Sequence, residues 1–383
     1  MWGFSPNFNK IQMTKIIATL GPSCDTTATL KHFKENNVAI IRQNLSHSSV
    51  DWHLEMSHIV KSVNLPILLD CPGPKIRLGE MIKSIDIKAG EKIILEYQKE
   101  DVYYPYQEGS NWVFPSHFET HKHVKTNATI LVDDGKLEWH VDSVIGERVL
   151  LTVVFGGSVK SRKGMNMPGT FLDIEFLTER DKLFLNSLLV QVKPEYVAVS
   201  FVKDIKDFNI FHSYLKSILD DQKITNYFPK ICIKFEMGTA VDQKMLPKLI
   251  EKCDIAMVAR GDLALEMKPL HVRVPFVQEM IKQECLKQNK PFIIATQILE
   301  SMMDSPVPTR AEVSDLYRAV VLDRANFIMC SGETAAGKYP IQSINFMRSM
   351  ILESEKLPEN THHDLSVNLN WDMKKDSKLK NVF

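Results

Sequence analysis

The 383-residue chain has no excess of either charge, since 47 lysines and arginines are matched by 47 aspartates and glutamates. It therefore offers no electrostatic reason to take nucleic acid or an anionic membrane as its main partner, and a small molecule is the expected one. It also lacks long apolar runs. The stretch Val149 to Phe155 stops far short of the roughly 20 residues that cross a bilayer. The segment Met1 to Lys15 has no signal-peptide apolar core, so a cytoplasmic location is the expectation. None of the six cysteines (Cys24, Cys71, Cys232, Cys253, Cys285, Cys330) stands in a CxxC pair, which fits reduced thiols packed as small hydrophobes better than a disulfide or zinc framework. With 44% hydrophobic and 25% charged residues, the composition lacks the bias of disordered or fibrous chains.

What is present is a repeat of short β-branched runs, each ending in a polar cluster and followed by a stretch of helical character. Eight such runs are legible: Lys15 to Leu20, Val38 to Arg42, Ile67 to Asp70, Tyr196 to Ser200, Lys230 to Lys234, Asp254 to Ala259, Phe292 to Thr296 and Asn326 to Ser331. Eight βα units predict an α/β fold, a (βα)8 TIM barrel. Helix starts are signalled by Thr178-Glu179-Arg180-Asp181 and by Pro308-Thr309-Arg310-Ala311-Glu312. Between the third and fourth strands the helical period vanishes. Alternating segments such as Glu91 to Glu96 and Thr129 to Val132 replace it, with turns at Ala89-Gly90, Asp134-Gly135 and Gly156-Gly157. The expected organisation is a catalytic barrel from residues 1–73 and 169–356, an inserted small β-barrel lid at 74–168, and a polar C-terminal tail at 357–383.

Active sites of such barrels lie at the carboxyl ends of the strands, and the residues there are unusually polar. They include Arg42 with Gln43-Asn44-Leu45-Ser46-His47, Asp70 with Lys75 and Arg77, Lys234-Phe235-Glu236, Arg260-Gly261-Asp262 and Thr296-Gln297. The carboxylates Glu236 and Asp262 suit a hard ion such as Mg²⁺, which takes oxygen ligands and completes its shell with substrate and water. Lys234, two residues before Glu236, shares a strand face with it, and with Arg42 suits an anionic, phosphate-bearing substrate. A structural ion pair for Lys234 and Glu236 and a helix N-cap for Asp262 are the alternative roles, and His47 reads as a packing or hydrogen-bonding residue rather than a base. Gly332 to Lys338 fits the start of a P-loop, but Tyr339 and Pro340 break the pattern where the Mg²⁺-binding hydroxyl belongs.

At these residues the sequence resembles the pyruvate kinases. The likeness runs from about Lys15 to Glu355, through Thr14 to Ser23, Arg42 to His47, Gly73 to Arg77, Ser161 to Gly169, Met257 to Leu263, Ala295 to Met302, Pro308 to Glu312 and Ser331 to Ala335. The resemblance implies phosphoryl transfer between phosphoenolpyruvate and ADP, giving pyruvate and ATP in glycolysis. By it, Arg42 and Lys234 hold the transferring phosphoryl group, and Glu236 and Asp262 bind Mg²⁺ or Mn²⁺. The amides of Gly261 and Asp262 cradle the substrate carboxylate, and Thr296 lies near the carbon that is protonated. Asn44, Arg77 and the lid-hinge Lys163 meet the nucleotide. A K⁺ site maps to Asn44, Ser46, Asp70 and the carbonyl of Cys71. Lys75 stands where K⁺-dependent members commonly have Glu, so K⁺ is expected to be dispensable, with Asp70, Asn44 and Ser46 holding Lys75 or water instead.

The resemblance has departures. The chain stops before the C-terminal domain of most members, which leads us to expect a short form, a homodimer at most, and no effector control by that domain. Ser314 to Asp323 carries one residue more than the usual pattern, with Arg318 where Asn is common, and Ala264 stands for a commoner glycine. The alternatives are an impaired homologue that senses phosphoenolpyruvate or nucleotide, and a Mg²⁺-dependent lyase or aldolase on a related barrel.

Overall fold

The computed structural model describes residues 13–98, 105–170, 174–267 and 271–357, so the expected tail falls almost wholly outside the described residues. Eight parallel strands form a closed barrel: β1 (Lys15–Thr19), β2 (Val38–Asn44), β3 (Ile67–Asp70), β4 (Tyr196–Val199), β5 (Lys230–Phe235), β6 (Ile255–Ala259), β7 (Phe292–Ala295) and β8 (Phe327–Cys330). Each pairs with the next in chain order, and β8 closes on β1 through Lys15 to Ala18 against Phe327 to Cys330. All eight runs read from the sequence are these strands, with no end shifted by more than two residues. They were legible because strands buried on both faces are apolar throughout.

Alternation divides the barrel into two cores. Ile17, Ile40, Leu68, Ala198, Cys232, Ile255, Met257, Ile293 and Met329 fill its interior. Their neighbours along the strands, such as Ile16, Ile41, Leu69, Ile233, Val258 and Ile294, join the larger core beneath the surrounding helices. Two helices begin with the signals noted in the sequence. Glu179–Val192 starts on a capping box between Thr178 and Asp181, and Arg310–Tyr317 on one between Thr309 and Glu312. Such a cap is worth about 1 kcal/mol, because it satisfies amides that the helix itself cannot. Within the segment Ser314 to Asp323, residues Arg318–Leu322 form a wide π turn, where the Asp323 amide donates to the Arg318 carbonyl at 2.8 Å.

Residues 76–167 contain a third, separate hydrophobic cluster around Phe114, Trp139, Val141 and Leu151. Seven strands form its main sheet, and Ile85–Ile87 pairs with Gly157–Val159 in a ribbon. The segment that leaves the barrel contacts the main sheet at two places. Arg77 bridges Gly164 and Leu78 bridges Ser116, while the Met165 amide donates to the Ile76 carbonyl at 2.9 Å and the Gly79 amide to the Pro115 carbonyl at 3.0 Å. Gly73, with a φ of 63°, makes the turn into this insertion, and its amide donates to the buried Asp181 carboxylate at 3.2 Å. All six cysteines are buried and free. No helix among the described residues is long and apolar enough to cross a membrane.

Candidate active site

The alternation that packs the barrel also aims its polar residues. Two positions beyond the interior residues Ile40, Leu68, Ala198 and Cys232, the same face carries Arg42, Asp70, Ser200 and Lys234, and Glu236 follows Lys234 by the same step. Strand register brings them together, with Asn44 beside Asp70 and Asp70 beside Ala198.

Asp70 is the hub of this cluster. Its Oδ2 accepts from Arg42 Nε at 2.7 Å and lies 2.6 Å from Arg42 Nη2. Its Oδ1 is 3.3 Å from Lys234 Nζ. Burial alone would push this carboxyl up, but Lys234 and Arg42 outweigh it and hold the group below the usual carboxylate range. The Lys234 ammonium also lies 2.9 Å from Glu236 Oε1 and donates to Ser200 Oγ at 2.7 Å. Burial opposes its charge, yet Asp70 and Glu236 together keep it protonated well above the usual lysine value. Glu236 is raised, first by burial and also by the Asp262 charge, against the lowering effect of Lys234. Its Oε2 accepts from the Phe201 amide at 2.8 Å.

A pocket of about 190 Å³ opens above the barrel end. Among the sequence candidates, Arg42, Asn44, Ser46, Arg77, Lys234, Glu236, Gly261, Asp262 and Thr296 line it, as do His47 and Lys75. Thr296 adopts a left-handed φ of 67°, and its hydroxyl accepts from the Gly261 amide at 3.0 Å while donating to the Ala295 carbonyl at 2.6 Å. That amide, expected to cradle a carboxylate, is thus engaged with Thr296. Glu236 and Asp262 bring two oxygen-donor side chains to one pocket, a set that fits Mg²⁺, which keeps several waters and takes one or two carboxylates.

The surroundings of three expected groups are defined, and one of them, Lys75, differs from the expectation. Lys163 does not line the pocket; it lies on the insertion, its Nζ 2.7 Å from Asp133 Oδ1. Lys75 is not held by Asp70, Asn44 and Ser46, because its Nζ pairs with Asp262 Oδ1 at 2.7 Å. Two of the oxygens implied for K⁺ accept hydrogen bonds within the protein: Asn44 Oδ1 from the Ser46 amide at 3.1 Å, and the Cys71 carbonyl from Ser200 Oγ at 2.7 Å. Lys338 of the P-loop-like run pairs at the exposed surface with Asp304, at 2.8 Å. Sequence reasoning assigned no role to Ser200, which passes a hydrogen bond from Lys234 to Cys71. The signal for it was its place at a strand end, on the inward face.

The pyruvate kinase barrel-domain family model matches residues 11–344. Pyruvate kinase of Methylorubrum extorquens is 34% identical over 350 residues, covering 90% of this chain and 69% of the relative. That of Clostridium acetobutylicum is 35% identical over 354 residues, covering 90% and 71%. Plastidial pyruvate kinase 3 of Arabidopsis thaliana is 34% identical over 361 residues, and the chain spans 59% of its length. The crystal structure of a pyruvate kinase from Cryptosporidium parvum superposes with a TM-score of 0.80 at 27% identity, over 91% of this chain and 70% of that one. With the family model matched over residues 11–344 and relatives about a third identical over nine-tenths of the chain, the chain belongs to the pyruvate kinase family of phosphotransferases.

Proposed function

We propose that the pocket transfers the phosphoryl group of phosphoenolpyruvate to ADP. The observation that carries this reading is the paired set of buried charges, Arg42 and Lys234 against Asp70 and Glu236, at the mouth of the barrel. Phosphoryl transfer asks for positioning and charge neutralisation rather than a strong nucleophile, and this set supplies both. A phosphoryl group entering the pocket meets a guanidinium already oriented by Asp70 and an ammonium held on three sides.

In the reaction, the bond between phosphorus and the enol oxygen breaks while a β-phosphate oxygen of ADP bonds to the phosphorus. The enolate oxygen carries the charge released, and Lys234 stabilises it. The methylene carbon then takes a proton drawn from solvent, giving pyruvate, with Thr296 on the side of that carbon. Glu236 and Asp262 would hold the divalent ion, which when bound neutralises charge on the substrate's oxygens. Asn44, Arg77 and, on the insertion, Lys163 would meet the nucleotide. Pyruvate release from phosphoenolpyruvate, measured with Mg²⁺ and with or without ADP, tests the proposal. ADP-dependent turnover is expected, whereas binding of both ligands without turnover would point to a sensor.

A further inference from the structure

Thr296 and Gln297 both have left-handed backbones, with φ of 67° and 52°. A β-branched residue in that region is strained, so something around it must hold it there. Arg260 does. Its buried guanidinium donates from Nη2 to the Thr296 carbonyl at 2.6 Å and to the Gln297 carbonyl at 3.0 Å, and from Nε to the Thr296 carbonyl at 3.1 Å and to the Ala295 carbonyl at 3.3 Å. The remaining arm, Nη1, donates to Asp315 Oδ2 at 2.6 Å. Asp315 lies on the helix Arg310–Tyr317 and does not line the pocket. That helix is itself fastened beside the segment after strand seven, because Glu312 accepts from the Ser301 amide at 2.7 Å and from the Ser301 hydroxyl.

We propose that Asp315 is a positioning residue that, through Arg260, holds the Thr296–Gln297 backbone in the left-handed form and so fixes the Thr296 hydroxyl in the pocket. This rests on the reading of Thr296 given above. A guanidinium presents its donors in a rigid fork, so whatever aims one arm aims the others. Three successive carbonyls supply acceptors but no countercharge, and the Asp315 carboxylate supplies both countercharge and direction. Without it the fork can rotate or shift outward. The backbone at Thr296 is then free to relax, carrying the hydroxyl away from its contact with the Gly261 amide.

The test is steady-state kinetics of the full chain carrying Asp315→Asn. Turnover should fall roughly 10- to 100-fold, as a small misplacement at a reacting centre does, while KM for phosphoenolpyruvate stays nearly unchanged. The solvent deuterium isotope effect on kcat should rise as protonation becomes limiting, and Asp315→Glu should restore most of the rate. Should Asp315→Asn not fold, Arg260→Lys keeps the charge, loses the fork, and should show the same isotope-effect change. A lower kcat with an unaltered isotope effect would mean a smaller fraction of intact sites and would overturn the inference. If Asp315→Asn matches the wild type in both while Thr296→Val is impaired, the positioning role is wrong and the reading of Thr296 stands. If Thr296→Val is itself unimpaired, that reading fails and the inference falls with it.

Discussion

Lys75 and Asp262 form an ion pair of 2.7 Å that ties the start of the insertion to the short helix Arg260–Glu266 after the sixth barrel strand. The lysine stem is packed as well: a side chain added at Gly164, across the insertion, would come within 3.1 Å of Lys75 Cε. The ammonium therefore sits between the two parts of the molecule and beside the carboxylate proposed to bind a divalent ion. Arg42, Lys75, Arg77 and Lys234 bring four cations to or beside a pocket served by the carboxylates of Asp70, Glu236 and Asp262.

That balance predicts independence from K⁺. With Arg42 and Lys234 already on Asp70, and Lys75 on Asp262, no carboxylate of the cluster needs a monovalent ion for countercharge. Rates in tetramethylammonium and in K⁺ at equal ionic strength should be similar. Lys75→Glu removes one cation and sets an anion beside Asp262, so that variant should acquire a K⁺ requirement. A wild-type rate that collapses without K⁺ would falsify the assignment and put a bound ion near Asn44, Ser46 and Asp70.

Lys234→Met should lower kcat by roughly 10² or more with a smaller change in KM, because the ammonium acts on charge that develops as the enolate forms. The substitution also leaves the buried Asp70 and Glu236 short of a cation, and breaking such a pair costs about 3–5 kcal/mol. Thermal melting should therefore accompany the kinetics, so that turnover is counted per folded molecule. Wild-type turnover in this variant would remove Lys234 from the chemistry.

The barrel was legible because its signals are local. Continuous apolar runs mark the doubly buried strands, Thr178 and Thr309 announce their helices, and a change of period betrays the insertion. Strand ends point to Arg42, Asp70 and Lys234, and the two-residue step from Lys234 to Glu236 puts those two on one face, which is why the sequence could place these four residues at one end of the barrel. What the sequence hid depends on contacts between distant residues. Nothing near Lys75 marks Asp262, 187 positions away, as its partner, and the fork from Arg260 to Asp315 spans 55 positions. The left-handed pair Thr296 and Gln297 has neither glycine nor asparagine to signal it. The π turn could be read only as one residue too many after Ser314; in it Ala319, Val320 and Val321 are buried, and Gln278, far off in sequence, donates to Asp323 at 2.6 Å.

Asp262→Asn tests the divalent site. The amide keeps the shape and one oxygen but loses the charge that attracts a cation. The Mg²⁺ concentration for half-maximal rate should rise, and phosphoenolpyruvate binding should weaken with it. Mn²⁺ binding followed by electron paramagnetic resonance, without substrates, should weaken as well, which separates a lost ion from a lost reaction step. Unchanged Mg²⁺ dependence would move the ion away from this carboxylate.

The last prediction concerns acid stability. His53 is buried beneath the second strand, with Nε2 3.0 Å from the His47 carbonyl and Nδ1 3.3 Å from Gln43 Oε1, and with its ring edge on Trp52 and Phe184. Burial lowers its pKa below the usual 6.5; the His47 carbonyl works against that, and the nearby Arg180 reinforces it. His47 is lowered too, first by burial and then by Arg77, Arg42 and Arg180. The folded state therefore refuses protons that the unfolded chain accepts, so the stability these groups contribute is fully present above the unfolded value of 6.5 and is lost as pH falls through the lowered folded values. Glu236, raised in the folded state, changes stability in the opposite direction at lower pH, so the wild-type curve alone does not isolate the histidines. His53→Gln retains a polar side chain but cannot titrate. Its melting temperature should fall less than that of the wild type between pH 7.5 and 5.5, and parallel curves for the two proteins would show that His53 plays no part in the acid response.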